Sequence, residues 1–240
     1  WPGDGLRLLE HDSRMISCAS NSTAGALRMT VRGSLEFDGN AEFSVALTAD
    51  SAVTLRDVRL ELPLRPEVAR YMMGLGYKGG ARPDSLDWAW EVKHNQDGAW
   101  LGDVNAGLQF SLKDDQYSRP LNTNFYLSKP LVMPASWANA GRGGCRLRAR
   151  REAYVVVCYS DARTMAAGEV QHYDFRLLLT PFHPIDTKAQ WATRYFHAYV
   201  PLDSIAKMGA NTVNVHHATA INPYINYPFL RPEAMKSYVD

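Results

Sequence analysis

Long apolar runs are missing from this sequence. No stretch approaches the roughly 20 residues that a helix needs to cross a bilayer, so no helical membrane span is expected. An excess of one charge is missing too: 26 Lys and Arg against 25 Asp and Glu leave a formal net charge of +1. That balance supplies no electrostatic drive toward nucleic acid or an anionic membrane surface, and neither is expected as a partner. Cysteine is scarce. Cys18, Cys145 and Cys158 are odd in number, widely spaced and without metal-ligand spacing, so no metal site is expected. One disulfide among the three is compatible with the sequence, although nothing in it requires one. Ser-His-Asp, Cys-His and phosphate-loop arrangements are also missing, as are internal repeats and low-complexity segments.

What is present is an ordinary globular composition, 46% hydrophobic and 21% charged, with six Trp and twelve Tyr. From Leu27 to Leu64 the pattern alternates: Leu27–Arg32, Ser34–Asp38, Glu42–Thr48 and Val53–Leu64, with an Asp38-Gly39-Asn40 turn between the second and third. Period-two alternation with one wet face marks antiparallel strands. A strand about every ten residues points to a β-sandwich. Pro66–Met73 has the pattern of a helical turn or two, and Gly74, Gly76, Gly79 and Gly80 then read as a tight loop needing positive φ.

An aromatic-rich stretch follows. Trp88 and Trp90 share one face of a strand with Asp87 and Glu91 on the other, and Trp100-Leu101-Gly102-Asp103-Val104-Asn105-Ala106-Gly107-Leu108-Gln109-Phe110 continues it. Asn122–Tyr126 and Trp137–Asn139 extend the strand pattern. Asp114-Asp115 reads as a solvated hairpin, since glycoside-cleaving acids stand about 5–9 Å apart across a sugar. Arg146, Arg148 and Arg150 alternate, which forms one solvated strand face rather than a nucleic-acid patch. Tyr154–Tyr159 is an apolar strand in which Cys158 packs as a small hydrophobe. Gln171–Thr180 is the last strand of the sandwich.

Lys188–Tyr199 has helical spacing, with Trp191, Tyr195 and Phe196 forming a docking face, and Pro201 breaks it. Asp203 is placed to cap a short helix that Gly209 ends, and a strand then runs from Thr212 through His216. That is the opening of an α/β unit, and a parallel strand needs neighbours reached by crossover connections. The expectation is therefore a longer parent protein. Within this chain the divisions are a β-sandwich at 1–185, a helical connector at 186–204, and the first strand and helix of a truncated (β/α)8 barrel at 205–240. The class is mainly β.

The run Met208-Gly209-Ala210-Asn211-Thr212-Val213-Asn214-Val215-His216 resembles the entry into strand one of (β/α)8-barrel glycoside hydrolases, some of which carry a β-sandwich ahead of the barrel. The Trp100–Phe110 strand pattern is similar to one in the N-terminal domains of family 123-like glycoside hydrolases. The chain more closely resembles bacterial glycoside hydrolase domain proteins of unassigned activity, a likeness that holds in order from Tyr71 to Phe229. The resemblance implies a bacterial, glycan-processing parent, periplasmic or extracellular, that needs no cofactor. It also implies that the family's acidic catalytic residues lie on later barrel strands, so that no catalytic residue falls in this chain and the chain alone is inactive.

In a barrel, Asn214 and His216 would point inward, with His216 nearest the C-terminal mouth where active sites lie. His216, Asn214, Asn222, Tyr224 and Asn226 are thus candidates for lining a sugar pocket, because sugars need directional hydrogen bonds and a flat apolar wall. The bland alternative is a structural histidine beside a simple turn. Trp88 and Trp100, with Trp90 and Trp137, form either a carbohydrate-stacking platform or core and interdomain filler. A carbohydrate-binding module and a purely structural or oligomerising sandwich stand as rivals. The strand at Val213 and Val215 also needs a cover, from the remainder of the parent chain, a second copy or the sandwich, since an open apolar edge aggregates.

Overall fold

Among the described residues, most of the first three-quarters of the chain is extended and paired in sheets. The computed structural model describes residues 3–90, 97–117, 132–181, 186–197, 199–216, 219–222 and 231–240. It divides into two units, Trp1–His183 and Pro184–Asp240.

In the first unit the strands are β1 (Arg7–His11), β2 (Met15–Ala24), β3 (Leu27–Glu36), β4 (Asn40–Ala49), β5 (Val53–Leu55), β6 (Arg59–Leu64), β7 (Tyr71–Gly74), β8 (Tyr77–Ala81) and β9 (Ser85–Ala89). After these come β10 (Gly98–Asp103), β11 (Ala106–Lys113), the short helix α1 (Ala135–Ala138), β12 (Gly144–Ala149), β13 (Tyr154–Tyr159), β14 (Arg163–Met165), β15 (Val170–His172) and β16 (Asp174–Thr180). The large sheet runs β1-β2-β3-β4-β16-β11-β10-β7-β8, with β15 also paired to β4. A smaller sheet runs β6-β13-β12-β9. Every pairing in both is antiparallel.

The two sheets close on one core. Leu47, Met72, Leu101, Phe110 and Leu112 come from the large sheet, and Cys145, Leu147, Tyr154, Val156 and Cys158 from the small one. Each large apolar side chain buried this way contributes about 1.5–3 kcal/mol. On β12 the alternation places Cys145 and Leu147 inside while Arg146 is exposed, and Arg148 pairs with Asp87 at 2.6 Å.

Three local expectations change. Pro66–Met73 is not helical: a turn leads into β7, and Tyr71, Met72 and Met73 join the large sheet. The glycine cluster is a β-hairpin whose two-residue turn, Leu75-Gly76, has φ of 48° and 80°. Positive φ at both positions is what a tight hairpin turn between twisted strands requires. Trp137 is helical rather than extended: it lies in α1, which Asn139 ends in the left-handed region at φ 42°. The strand expected at Asn122–Tyr126 lies outside the described residues.

In the second unit, α2 (Thr187–Ala192) is capped by Asp186, which accepts the Ala189 N–H at 2.9 Å. The helix ends at Thr193 rather than continuing to Tyr199. Tyr195 and Phe196 instead form β17 (Tyr195–Phe196), which pairs in parallel with β18 (Thr212–Val213). The connection between them is α3 (Leu202–Lys207), which gives a small βαβ unit, and Gly209 follows it at φ 76°. Asp203 lies in the first turn of α3 but makes no cap, and β18 ends before Asn214. The last element is α4 (Pro232–Val239).

Candidate functional site: the outer face of the large sheet

Strand β10 reads Gly-Ala-Trp-Leu-Gly-Asp, and its pleat sends Ala99 and Leu101 into the core at 3% and 1% exposure. Trp100 must therefore project from the opposite, outward face. In register beside it stand Met73 on β7 and Gln109 on β11, both exposed. The indole is fixed at one point: its Nε1–H donates to Thr180 Oγ1 at 2.8 Å.

Two glycines explain how so large a side chain lies there. A Cβ on Gly102 would meet Trp100 Cζ2 at 2.3 Å, and one on Gly107 would meet Trp100 Nε1 at 2.6 Å. Both glycines leave the room that the indole occupies against the sheet backbone. The ring is thus seated on the strands and tethered at its nitrogen, and Trp100 keeps part of its surface in solvent.

Across the same face the register continues from Ser111 to Arg176 to Glu42, and from Gln109 to Leu178 to Asn40. These rows cross four strands from β10 to β4, roughly 14 Å. Lys113 Nζ lies 3.0 Å from Glu42 Oε2, and Arg176 Nε donates to Glu42 Oε1. Glu42 is thus clamped between two cations. Asp174 instead accepts the Val45 N–H at 2.8 Å. Neither is a free partner in the two-carboxylate arrangement that glycoside cleavage uses. What the face offers is a flat aromatic surface beside amide, hydroxyl and guanidinium groups, which suits binding a polar ring more than breaking it.

Asp174 carries a testable electrostatic signature. Burial pushes its carboxyl above the ordinary 3.8, against the lowering effect of the Val45 hydrogen bond. The folded state then holds this proton more tightly than the unfolded chain does. Its contribution is fully present below about pH 3.9 and drains away as pH rises through the elevated folded value. Asp174→Asn, which cannot ionise, is expected to gain stability relative to the native chain on going from pH 3 to pH 7. Urea unfolding at the two pH values checks this, and a difference independent of pH would contradict it.

Trp88, Trp90 and Trp137 lie elsewhere. Trp88 and Trp90 pack against the core, edge-to-face at 4.9 Å, and Trp137 is 2% exposed. Among the described residues Trp90 Nε1 is buried without a hydrogen-bond partner. The adjacent acids Asp114 and Asp115 separate: Asp115 is exposed, while Asp114 is buried and accepts the N–H groups of Gln116 at 3.0 Å and Ser136 at 3.3 Å. Asp114 therefore ties down a turn rather than standing free in solvent.

In the second unit Asn214 and His216 are exposed, and the His216 ring stacks on His197 with centroids 4.8 Å apart. Asn222 is half-buried, donates to the Val215 carbonyl at 3.3 Å, and keeps a buried Oδ1 without a partner among the described residues. Tyr224 and Asn226 lie outside the described residues. Gln109, Thr180, Arg176, Glu42, Gly102 and Gly107 were not candidates from the sequence. The signal that points to them is the Trp100–Phe110 segment, in which a six-residue strand and its antiparallel return place Gly102 and Gly107 opposite each other beside Trp100.

The family model described as glycoside hydrolase 123, third domain, matches residues 1–181, and the one described as glycoside hydrolase 123, TIM-barrel domain, matches residues 186–240. No curated protein matches the chain. Solved structures similar to it include a GalM/aldose epimerase homologue from C. elegans, at 8% identity and TM-score 0.39, covering 73% of this chain and 68% of that one. A galactose mutarotase related enzyme from Lactobacillus acidophilus aligns at 10% identity and TM-score 0.37, covering 74% and 71%. The heparan sulfate lyase HepC from Pedobacter heparinus aligns at 8% identity and TM-score 0.34, covering 72% of this chain and 21% of the lyase. Likeness at this level does not bear on the function of this chain.

Proposed function

Because this chain belongs to the glycoside hydrolase 123 family, we propose that its sandwich is a non-catalytic, glycan-contacting part of a glycan-processing hydrolase. Carbohydrate is the ligand class, and the outer face of the large sheet at Trp100 is where it is met. The observation that carries this is the seating of the Trp100 indole over Gly102 and Gly107 with its nitrogen tied to Thr180. A pre-positioned ring loses little freedom when a sugar stacks on it, so the contact enters binding nearly undiminished. Gln109, Ser111 and Arg176 supply hydrogen-bonding groups along the same rows.

The second unit is proposed to support the barrel, with Asn214, His216 and Asn222 as further sugar contacts. A periplasmic or extracellular location accompanies this proposal. Printing the 240-residue chain and its Trp100→Ala variant on one glycan array tests it. The native chain is expected to bind oligosaccharides, with the variant's signal about tenfold weaker or more. A native chain that binds no glycan would overturn it.

One observation favours a structural role alongside the first. Trp191 and Tyr195 are 81% and 73% exposed, more than large aromatics usually are. The remainder of a longer parent chain or a second copy of this one is the proposed cover.

A further inference from the structure

We propose that Cys145 and Cys158 form a disulfide that staples β12 to β13 when the protein is made in an oxidising compartment. The inference does not depend on the glycan reading. The two residues are directly opposed in the antiparallel register, and their sulfurs lie 3.6 Å apart.

The phase of the ladder favours closure. At the β12–β13 turn, Arg150 N–H donates to the Ala153 carbonyl at 2.8 Å, which makes that pair a hydrogen-bonded one. Hydrogen-bonded and non-hydrogen-bonded pairs alternate along an antiparallel ladder. Counting back along the register, Cys145 and Cys158 fall on a non-hydrogen-bonded pair. The opposite neighbour agrees: Ala149 N–H donates to Asp84 O at 2.8 Å, a phase that turns the backbone groups of Cys145 toward Trp88 instead. Non-hydrogen-bonded partners sit with Cα atoms about 4.5 Å apart, inside the ~4.4–6.8 Å window of disulfides. The sulfurs, 3.6 Å apart, need to approach by about 1.6 Å to reach the length of an S–S bond. Cys18 stands on β2 of the other sheet, opposite Gly33 and Leu8, so no cysteine competes for it there.

The oxidant is a disulfide of the exchange type, small-molecule or enzymatic. One cysteine thiolate attacks it, forming a mixed disulfide and releasing one thiolate. The second cysteine thiolate attacks the protein sulfur of that mixed disulfide and expels the other. The two protein protons end on the two released thiols, and the two electrons reduce the oxidant. Both cysteines are 0% exposed in the fold, and burial pushes the Cys145 thiol well up, with its contact to Cys158 adding to this. Cys145 thiolate is therefore scarce once β12 is covered, so the bond is set while the small sheet assembles.

The test compares the chain exported to a bacterial periplasm with the same chain made in a reducing cytosol. Each is denatured without reductant, alkylated and weighed. The exported chain is expected to carry one alkylated thiol, mapped to Cys18, and the cytosolic chain three. Reduction of the exported chain is expected to lower its thermal midpoint by about 5–10 °C. Exported Cys158→Ser is expected to carry two alkylated thiols, Cys18 and Cys145. If that variant does not fold, the reduced native chain refolded with glutathione disulfide is expected to carry one alkylated thiol, Cys18, as the exported chain does. Three alkylated thiols in the exported chain, or a disulfide that includes Cys18, would overturn the proposal.

Discussion

Trp137→Ala is expected to cost about 3–5 kcal/mol of stability, enough to unfold much of a marginal domain. The indole is 2% exposed, stands edge-on to Tyr173 with centroids 5.1 Å apart, and donates its Nε1–H to the Asp174 carbonyl at 3.0 Å. Truncation removes all three contributions at once. It opens a cavity that the rigid strands cannot refill, and it leaves the Tyr173 ring without its partner. Urea unfolding of the native and variant chains reads the effect. A loss below 1 kcal/mol would mean that the corner between α1 and β16 is not part of the core.

A methyl group added at Gly143 should do comparable damage for the opposite reason. Its Cβ would stand 1.8 Å from the Trp137 carbonyl oxygen and 2.9 Å from that of Tyr159. Both are backbone atoms, so no side-chain rotation relieves the overlap. The Gly143 N–H also donates to the Ala138 carbonyl at 3.1 Å, which pins the two segments at this separation. Gly143→Ala is expected to cost about 3 kcal/mol. Gly141, two residues away, has open space at its Cβ and a φ of 87°. Gly141→Ala should cost only the left-handed strain, about 1–2 kcal/mol. Equal losses at the two positions in thermal or urea unfolding would contradict the packing explanation.

How far the sequence reveals this molecule depends on how strongly each segment alternates. Leu27–Leu64 and Tyr154–Tyr159 alternate or cluster clearly, and strands form there. Leu27–Glu36 is nevertheless one strand rather than two, and Val53–Leu64 splits at residues 56–58 into β5 and β6, which join different sheets. Strands β1 and β2 did not stand out, because Ser17-Cys18-Ala19-Ser20-Asn21-Ser22-Thr23 offers little contrast between faces and β1 is exposed at every position. β2 is fixed instead by a ten-residue register with β3, and β1 pairs in turn with β2. Tyr195 and Phe196 fit a helical stripe by spacing, yet they pair with Thr212 and Val213, because tertiary pairing overrides a short periodic signal. Trp100 was legible as a sugar-stacking candidate, but its separation from Trp88 and Trp137 was not. That separation depends on which sheet face each occupies, and the face follows from long-range register rather than local pattern. The partners of Trp100 illustrate this, since Thr180 lies 80 residues away in the chain.

Residues 1–181 belong to a family of glycoside hydrolases, and the outward face at Trp100 is the place where this chain is proposed to meet sugar. The most direct test is calorimetric titration of the oligosaccharide best bound on the array into the native chain and into Trp100→Ala, with circular dichroism verifying that both are folded. Loss of the stacked ring is expected to raise Kd at least about tenfold, or roughly 1.4 kcal/mol, while leaving the fold intact. An unchanged Kd in a folded Trp100→Ala variant would contradict the assignment of glycan to this face.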